Sequence, residues 1–136
     1  MENGFEILLQ QEYSASEMAV FNLVKNGFLF KLTGADSIQF DFIKDGSFTL
    51  EFLERGTIYG TFTEIIQGKK ISMNWNVSGF GRGEEPGTHV ILSIIDLGNK
   101  VALEVSHTGI GNSESAEAKK RAWSEILNDL KKELSA

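Results

Sequence analysis

From residue 36 onward the chain repeats one pattern: stretches in which apolar and polar residues alternate, each ended by a turn that carries glycine. A period of two sends the apolar side chains to one side of a sheet, and the turns then limit which stretch can pair with which. Lys44-Asp45-Gly46 or its neighbours reads as a bulged loop with Gly46 at positive φ, so that Phe40 and Phe42 face Phe52 and Leu50. A turn at Glu54-Arg55-Gly56 sets Ile58, Gly60 and Phe62 opposite Phe52, Leu50 and Phe48. If Gln67-Gly68 closes the next hairpin, Met73 lies opposite Phe62 and Trp75 opposite Gly60, a large ring over a residue with no side chain. Gly98-Asn99 closes the last hairpin and pairs Val101, Leu103 and Val105 with Asp96, Ile94 and Leu92. One apolar face runs through every turn, which makes the sheet antiparallel.

Helices are expected on either side of this block. Phe5, Ile7, Leu9, Gln11 and Tyr13 alternate as a first strand near residues 4 to 13. Ser14 with Glu17 three residues on has capping-box spacing, so a short helix should run from about residue 15 to 25 and stop at Asn26-Gly27, with Met18, Phe21 and Val24 inward. Residues 28 to 34 fit either another helical turn or extended chain. From residue 113 to 136, Ala116, Lys120, Trp123, Ile126, Leu127, Leu130 and Leu134 recur at three- and four-residue steps, the mark of a long amphipathic helix. Its outer face, with five acidic and five basic residues, is neutral and reads as a solvated surface rather than a basic membrane-binding face. Residues 79 to 87, with four Gly and the single Pro, read as one long loop between strands and a candidate lid.

A chain of 136 residues points to one domain over residues 1–136. No apolar run approaches the roughly 20 residues of a spanning helix, and Met1-Glu2-Asn3-Gly4 lacks a basic, apolar export signal, so the expected location is cytoplasmic and membrane insertion is not expected. The absence of Cys removes disulfides and thiolate chemistry. Nineteen acidic against thirteen basic residues give a net charge of -6, which repels phosphate backbones, and no basic patch offsets it; no nucleic-acid partner is expected.

A strand, one or two short helices, further antiparallel strands and a long final helix make up the order of the helix-grip fold. Gly60-Thr61-Phe62-Thr63-Glu64-Ile65-Ile66 and Lys70-Ile71-Ser72-Met73-Asn74-Trp75 resemble a "G-x-[apolar]-x-E-[IV]" strand and an "[apolar]-x-x-x-W" strand. Leu103-Glu104-Val105-Ser106-His107-Thr108-Gly109 is similar to "L-x-[apolar]-x-H-x-G", and the segment from Trp123 to Lys131 to "W-x-x-x-L-x-x-L-K". Together these resemble the family named for its similarity to the activator of the heat-shock chaperone ATPase, within the START-like superfamily. The resemblance implies an α+β fold in which a curved antiparallel sheet of about seven strands wraps a long C-terminal helix. Two departures, no Trp in Phe28-Leu29-Phe30-Lys31-Leu32 and Asp45-Gly46-Ser47 where a paired glycine is usual, keep ligand preference from being carried over.

The resemblance also implies an apolar cavity between sheet and helix. The residues expected to line it are Phe62, Met73, Trp75, Leu92, Leu103, His107, Trp123 and Leu127, with Glu64 and Asp96 as further polar groups near strand ends. His107 could orient a polar ligand group or move a proton; its plainer reading is a buried ring hydrogen-bonded to backbone. His89 falls on the outer face, so the two histidines do not share a metal, and with no Cys and no H-E-x-x-H neither a metal nor a cofactor is expected. Ser106 adjoins His107 but points to the opposite face, which rules out a Ser-His pair. The expected function is non-catalytic binding of an apolar or amphipathic small molecule. The alternatives are an interaction module for a chaperone and, behind it, a cyclase or hydrolase using His107.

Overall fold

The computed structural model describes residues 4–81 and 83–135. In chain order it forms β1 (Phe5–Tyr13), α1 (Glu17–Lys25), α2 (Phe28–Lys31), β2 (Ser37–Phe40), β3 (Ser47–Phe52), β4 (Gly56–Ile66), β5 (Lys70–Gly79), β6 (Glu84–Asp96), β7 (Val101–Ile110) and α3 (Ser113–Ser135). All seven strands join one antiparallel sheet in the order β1-β7-β6-β5-β4-β3-β2, so α1 and α2 carry the chain from one edge to the other. Register shifts between Phe5 and Ile7, Phe62 and Glu64, and Trp75 and Val77 each bend a strand, and bulges of this kind curl a sheet. The concave face holds α3 through Trp123, Ile126, Leu127 and Leu130, all buried. This is the expected α+β helix-grip architecture.

Pairing follows the expected faces throughout and the expected partners in part. Val101, Leu103 and Val105 lie opposite Asp96, Ile94 and Leu92, and Met73 lies opposite Phe62. Tyr59–Asn76 and Phe62–Met73 fix the register in which Gly60 falls opposite Trp75. What demands a glycine at position 60 is backbone, not the indole: a Cβ there would sit 2.0 Å from the Asn74 carbonyl oxygen. The β3–β4 register differs by two residues from expectation, with Phe48 opposite Gly60 and Leu50 opposite Ile58, a shift that keeps the apolar face. The β2–β3 register differs by four, since Phe40 meets Phe48 and Ile38 meets Leu50. The cause is a longer connection: Asp41 N–H donates to Ser47 O and Gly46 N–H to Ile43 O, and Asp45 rather than Gly46 takes positive φ, at 69°. Phe42 is thereby released from pairing, and its ring packs edge-on against Phe21 and Phe62 at 5.7 and 5.2 Å.

The helices also correct three expectations. Ser16, not Ser14, caps α1 by accepting from Ala19 N–H, because Glu17 reaches across to Lys69 instead of back toward Ser14. Val20 replaces Met18 on the buried side, and Met18 is exposed. Near its start α3 turns Ser115 and Lys119 inward, leaving Lys120 exposed, because Glu85 on β6 accepts from both. Residues 28 to 31 resolve as helix. The expected loop at 79–87 is shorter than its composition suggests, since β6 begins at Glu84 and accommodates Gly87 at a bulge, with Gly87 N–H bonded to Asn76 Oδ1.

Candidate functional site

The interior has a filled part and an unfilled part. Beneath the middle of the sheet Phe62, Met73, Leu92 and Leu103 are essentially inaccessible, and Phe30, Phe48 and Phe62 form a ring cluster with centroids 5.2 to 6.4 Å apart. Toward the β3–β4 turn a cavity of about 260 Å³ opens between sheet and helix. Ile58, Trp75 and Val77 form its sheet wall, and Ala118, Lys119, Ala122, Trp123 and Ile126 its helix wall. Leu32 and Thr33 close one side; Phe52, Arg55 and Phe80 flank the mouth.

Phe80 reaches this place through a local backbone commitment. Its φ of 58° lies in the left-handed region, which costs a non-glycine residue of order 1 kcal/mol and persists where surrounding bonds over-determine it. Here Phe80 N–H donates to Arg55 O at 2.7 Å and Gly79 N–H to Gly83 O at 2.9 Å, and the Phe80 ring meets Phe52 edge-on at 5.1 Å. The Arg55 guanidinium lies over the other partner of that pair, 5.2 Å from the Phe52 centroid.

The polar part of the helix wall is a buried network. Lys119 Nζ donates to Glu85 Oε1 at 2.9 Å and to Ser115 Oγ at 2.7 Å, and Ser115 Oγ donates to the same carboxylate oxygen at 3.2 Å. Only 9% of the Lys119 side chain and 18% of that of Glu85 are exposed. An ion pair at this depth is held by its hydrogen bonds, and removing one member is costly. Asn112 Oδ1 accepts from Ser115 N–H at 2.8 Å, which fixes the first turn of α3 under the network.

His107 sits outside the cavity wall, fully buried behind Trp75 and Trp123. Trp123 Nε1–H donates to His107 Nδ1 at 3.1 Å, so the neutral ring carries its proton on Nε2, which is buried without a partner among the described residues. Burial first, then the charges of Lys119 and His89, pushes the His107 pKa down to about 3. Its bond is therefore to an indole, not to backbone.

Of the eight residues read from the sequence as cavity lining, Trp75 and Trp123 line it. Phe62, Met73, Leu92, Leu103, His107 and Leu127 are packed in the core behind it. Glu64 pairs with Lys70 at 3.0 Å and is half exposed, and Asp96 accepts from Gly98 N–H in an exposed turn; neither reaches the interior. Phe80 belongs to the segment read as a candidate lid and does reach the mouth, whereas Arg55 and Lys119 were not expected there. Lys119 follows Ser115 by one helical turn, a spacing that could have marked a pair, but nothing local shows that Glu85 meets it from β6.

Related structures share this architecture. An HSP90 activator from Plasmodium falciparum aligns with a TM-score of 0.76 at 22% identity, covering 97% of each chain. The Aha1 dimer from Colwellia psychrerythraea gives 0.78 at 16% identity over 96% of each chain, and CalU16 from Micromonospora echinospora 0.71 at 17% over 92% of this chain and 73% of that one. These likenesses speak for the fold. No curated protein matches the sequence. A family model described as "Activator of Hsp90 ATPase homolog 1-like protein" matches residues 14–135, nearly the whole sequence, and the chain belongs to that family.

Proposed function

We propose that the chain acts as one START-like domain, in the cytoplasm, that holds an apolar or amphipathic small molecule between sheet and C-terminal helix and performs no chemistry on it. The supporting observation is that an unfilled part of the sheet–helix interior is walled by Trp75 and Trp123 beside a close-packed core. Its volume of about 260 Å³ lies just under the usual range for ligand sites, about 300–1,000 Å³, which suits a small molecule. Acid–base chemistry finds no support: His107 is neutral near pH 7 and does not line the cavity. Native mass spectrometry of freshly purified protein should find a bound molecule, displaced when Ala122→Phe fills the cavity. A ligand-free protein whose tryptophan emission ignores every apolar probe would sink this reading.

Family membership favours a second reading, in which the domain engages an Hsp90-type chaperone. Such a module should change the chaperone's ATPase rate in a titration. A flat response at saturating concentration would remove it.

A further inference from the structure

The hydrogen-bonding inventory of the cavity is lopsided. An ammonium carries three hydrogens, and Lys119 spends two, on Glu85 and Ser115. The third has no protein partner among the described residues, and a side chain only 9% exposed has little water to offer it. Lys119 is also one of the residues that line the cavity. Arg55 adds further N–H donors at the mouth; its guanidinium is oriented by the Phe52 ring and forms no ion pair among the described residues. The acceptors are engaged: Glu85 takes hydrogens from Lys119 and Ser115, and Thr33 Oγ1, which donates to Phe30 O, accepts from Ala35 N–H. Glu125 and Arg55 are both exposed, so solvent screens each of their charges, and the buried Lys119 is the cation that counts most in the wall.

We infer that the cavity selects a small apolar molecule ending in a carboxylate, its body between Trp75 and Trp123 and its oxygens toward Lys119 Nζ and Arg55. This rests on the binding function proposed above and adds the ligand class. A carboxylate is an acceptor only, so it meets the unfilled donors with charge-assisted bonds; an alcohol meets them with weaker neutral ones. An ammonium ligand would bring donors to donors and repel both cations.

Three probes of matched length separate the possibilities: octanoate, octanol and octylammonium, each titrated into the full chain at pH 7. Trp75 and Trp123 are the only tryptophans and both line the cavity, so their emission reports occupancy. Octanoate should bind about tenfold more tightly than octanol, with octylammonium weakest. Arg55→Gln should shrink that preference. So should the double variant Lys119→Met with Glu85→Gln, which removes both members of the ion pair, and in both variants octanoate should lose more affinity than octanol. Equal affinity for the three probes, a preference for octylammonium, or an octanoate preference untouched by both variants would overturn the carboxylate assignment while leaving the cavity as a binding site. Failure of all three probes to bind would overturn the binding function itself.

Discussion

The two ends of the sheet–helix interface are built from the same kinds of residue and reach opposite outcomes. Under β5, β6 and β7, Met73, Leu92, Leu103 and Leu127 fill the space, and even a histidine is tolerated there by giving up its charge. Near the β3–β4 turn, α3 presents the small side chains of Ala118 and Ala122 to the cavity that Ile58 and Val77 also line. The lesson is that curvature alone does not make a cavity: the size of the helix residue at each turn decides whether the grip closes.

That contrast can be broken most forcefully at the filled end. Phe62→Ala should destabilise by about 3–5 kcal/mol in denaturant unfolding, the usual cost of an aromatic vacancy that close packing cannot close. A loss under 1 kcal/mol would mean this end is as yielding as the other. A smaller effect tests the neutral histidine. Unfolded, His107 takes a proton near pH 6.5; folded, its value of about 3 prevents it. Stability is therefore fully present above pH 6.5 and declines as pH falls toward 3, by about 2 kcal/mol between pH 7.5 and 5. His107→Gln should flatten that slope over the same interval, and an unchanged slope would assign it to other groups. The smallest effect is expected at the unfilled end: Ala122→Phe should shift stability by about 0.5 kcal/mol or less while abolishing probe binding. A large destabilisation would show that the cavity has no slack.

Much of the filled end was legible in the sequence, because strand alternation is a local signal and parity survives an error in turn length. The β3–β4 pairing is off by two and the β2–β3 pairing by four, yet Phe48, Leu50 and Phe52 stay inward in both. The unfilled end was less legible. Trp75 and Trp123 could be placed facing each other across the interior, and their rings do approach to 5.4 Å. Arg55 and Phe80 arrive through turn backbone that no periodicity describes, and Lys119 is internal only because Glu85 receives it from another element. In the sequence a lysine between two solvated charges looks like surface.

The position of β1 has a consequence for how the chain is made. Among the described residues β1 pairs only with β7, and Tyr13 Oη–H donates to the Leu127 carbonyl at 2.8 Å across 114 residues. An emerging polypeptide can zip its hairpins from β2 to β6 as they leave the ribosome, but β1 must wait, unpaired, until β7 has followed. Such long-range closure slows folding. The exposed alternation of Phe5, Leu8 and their neighbours is then the stretch that a nascent-chain holdase would have most reason to cover.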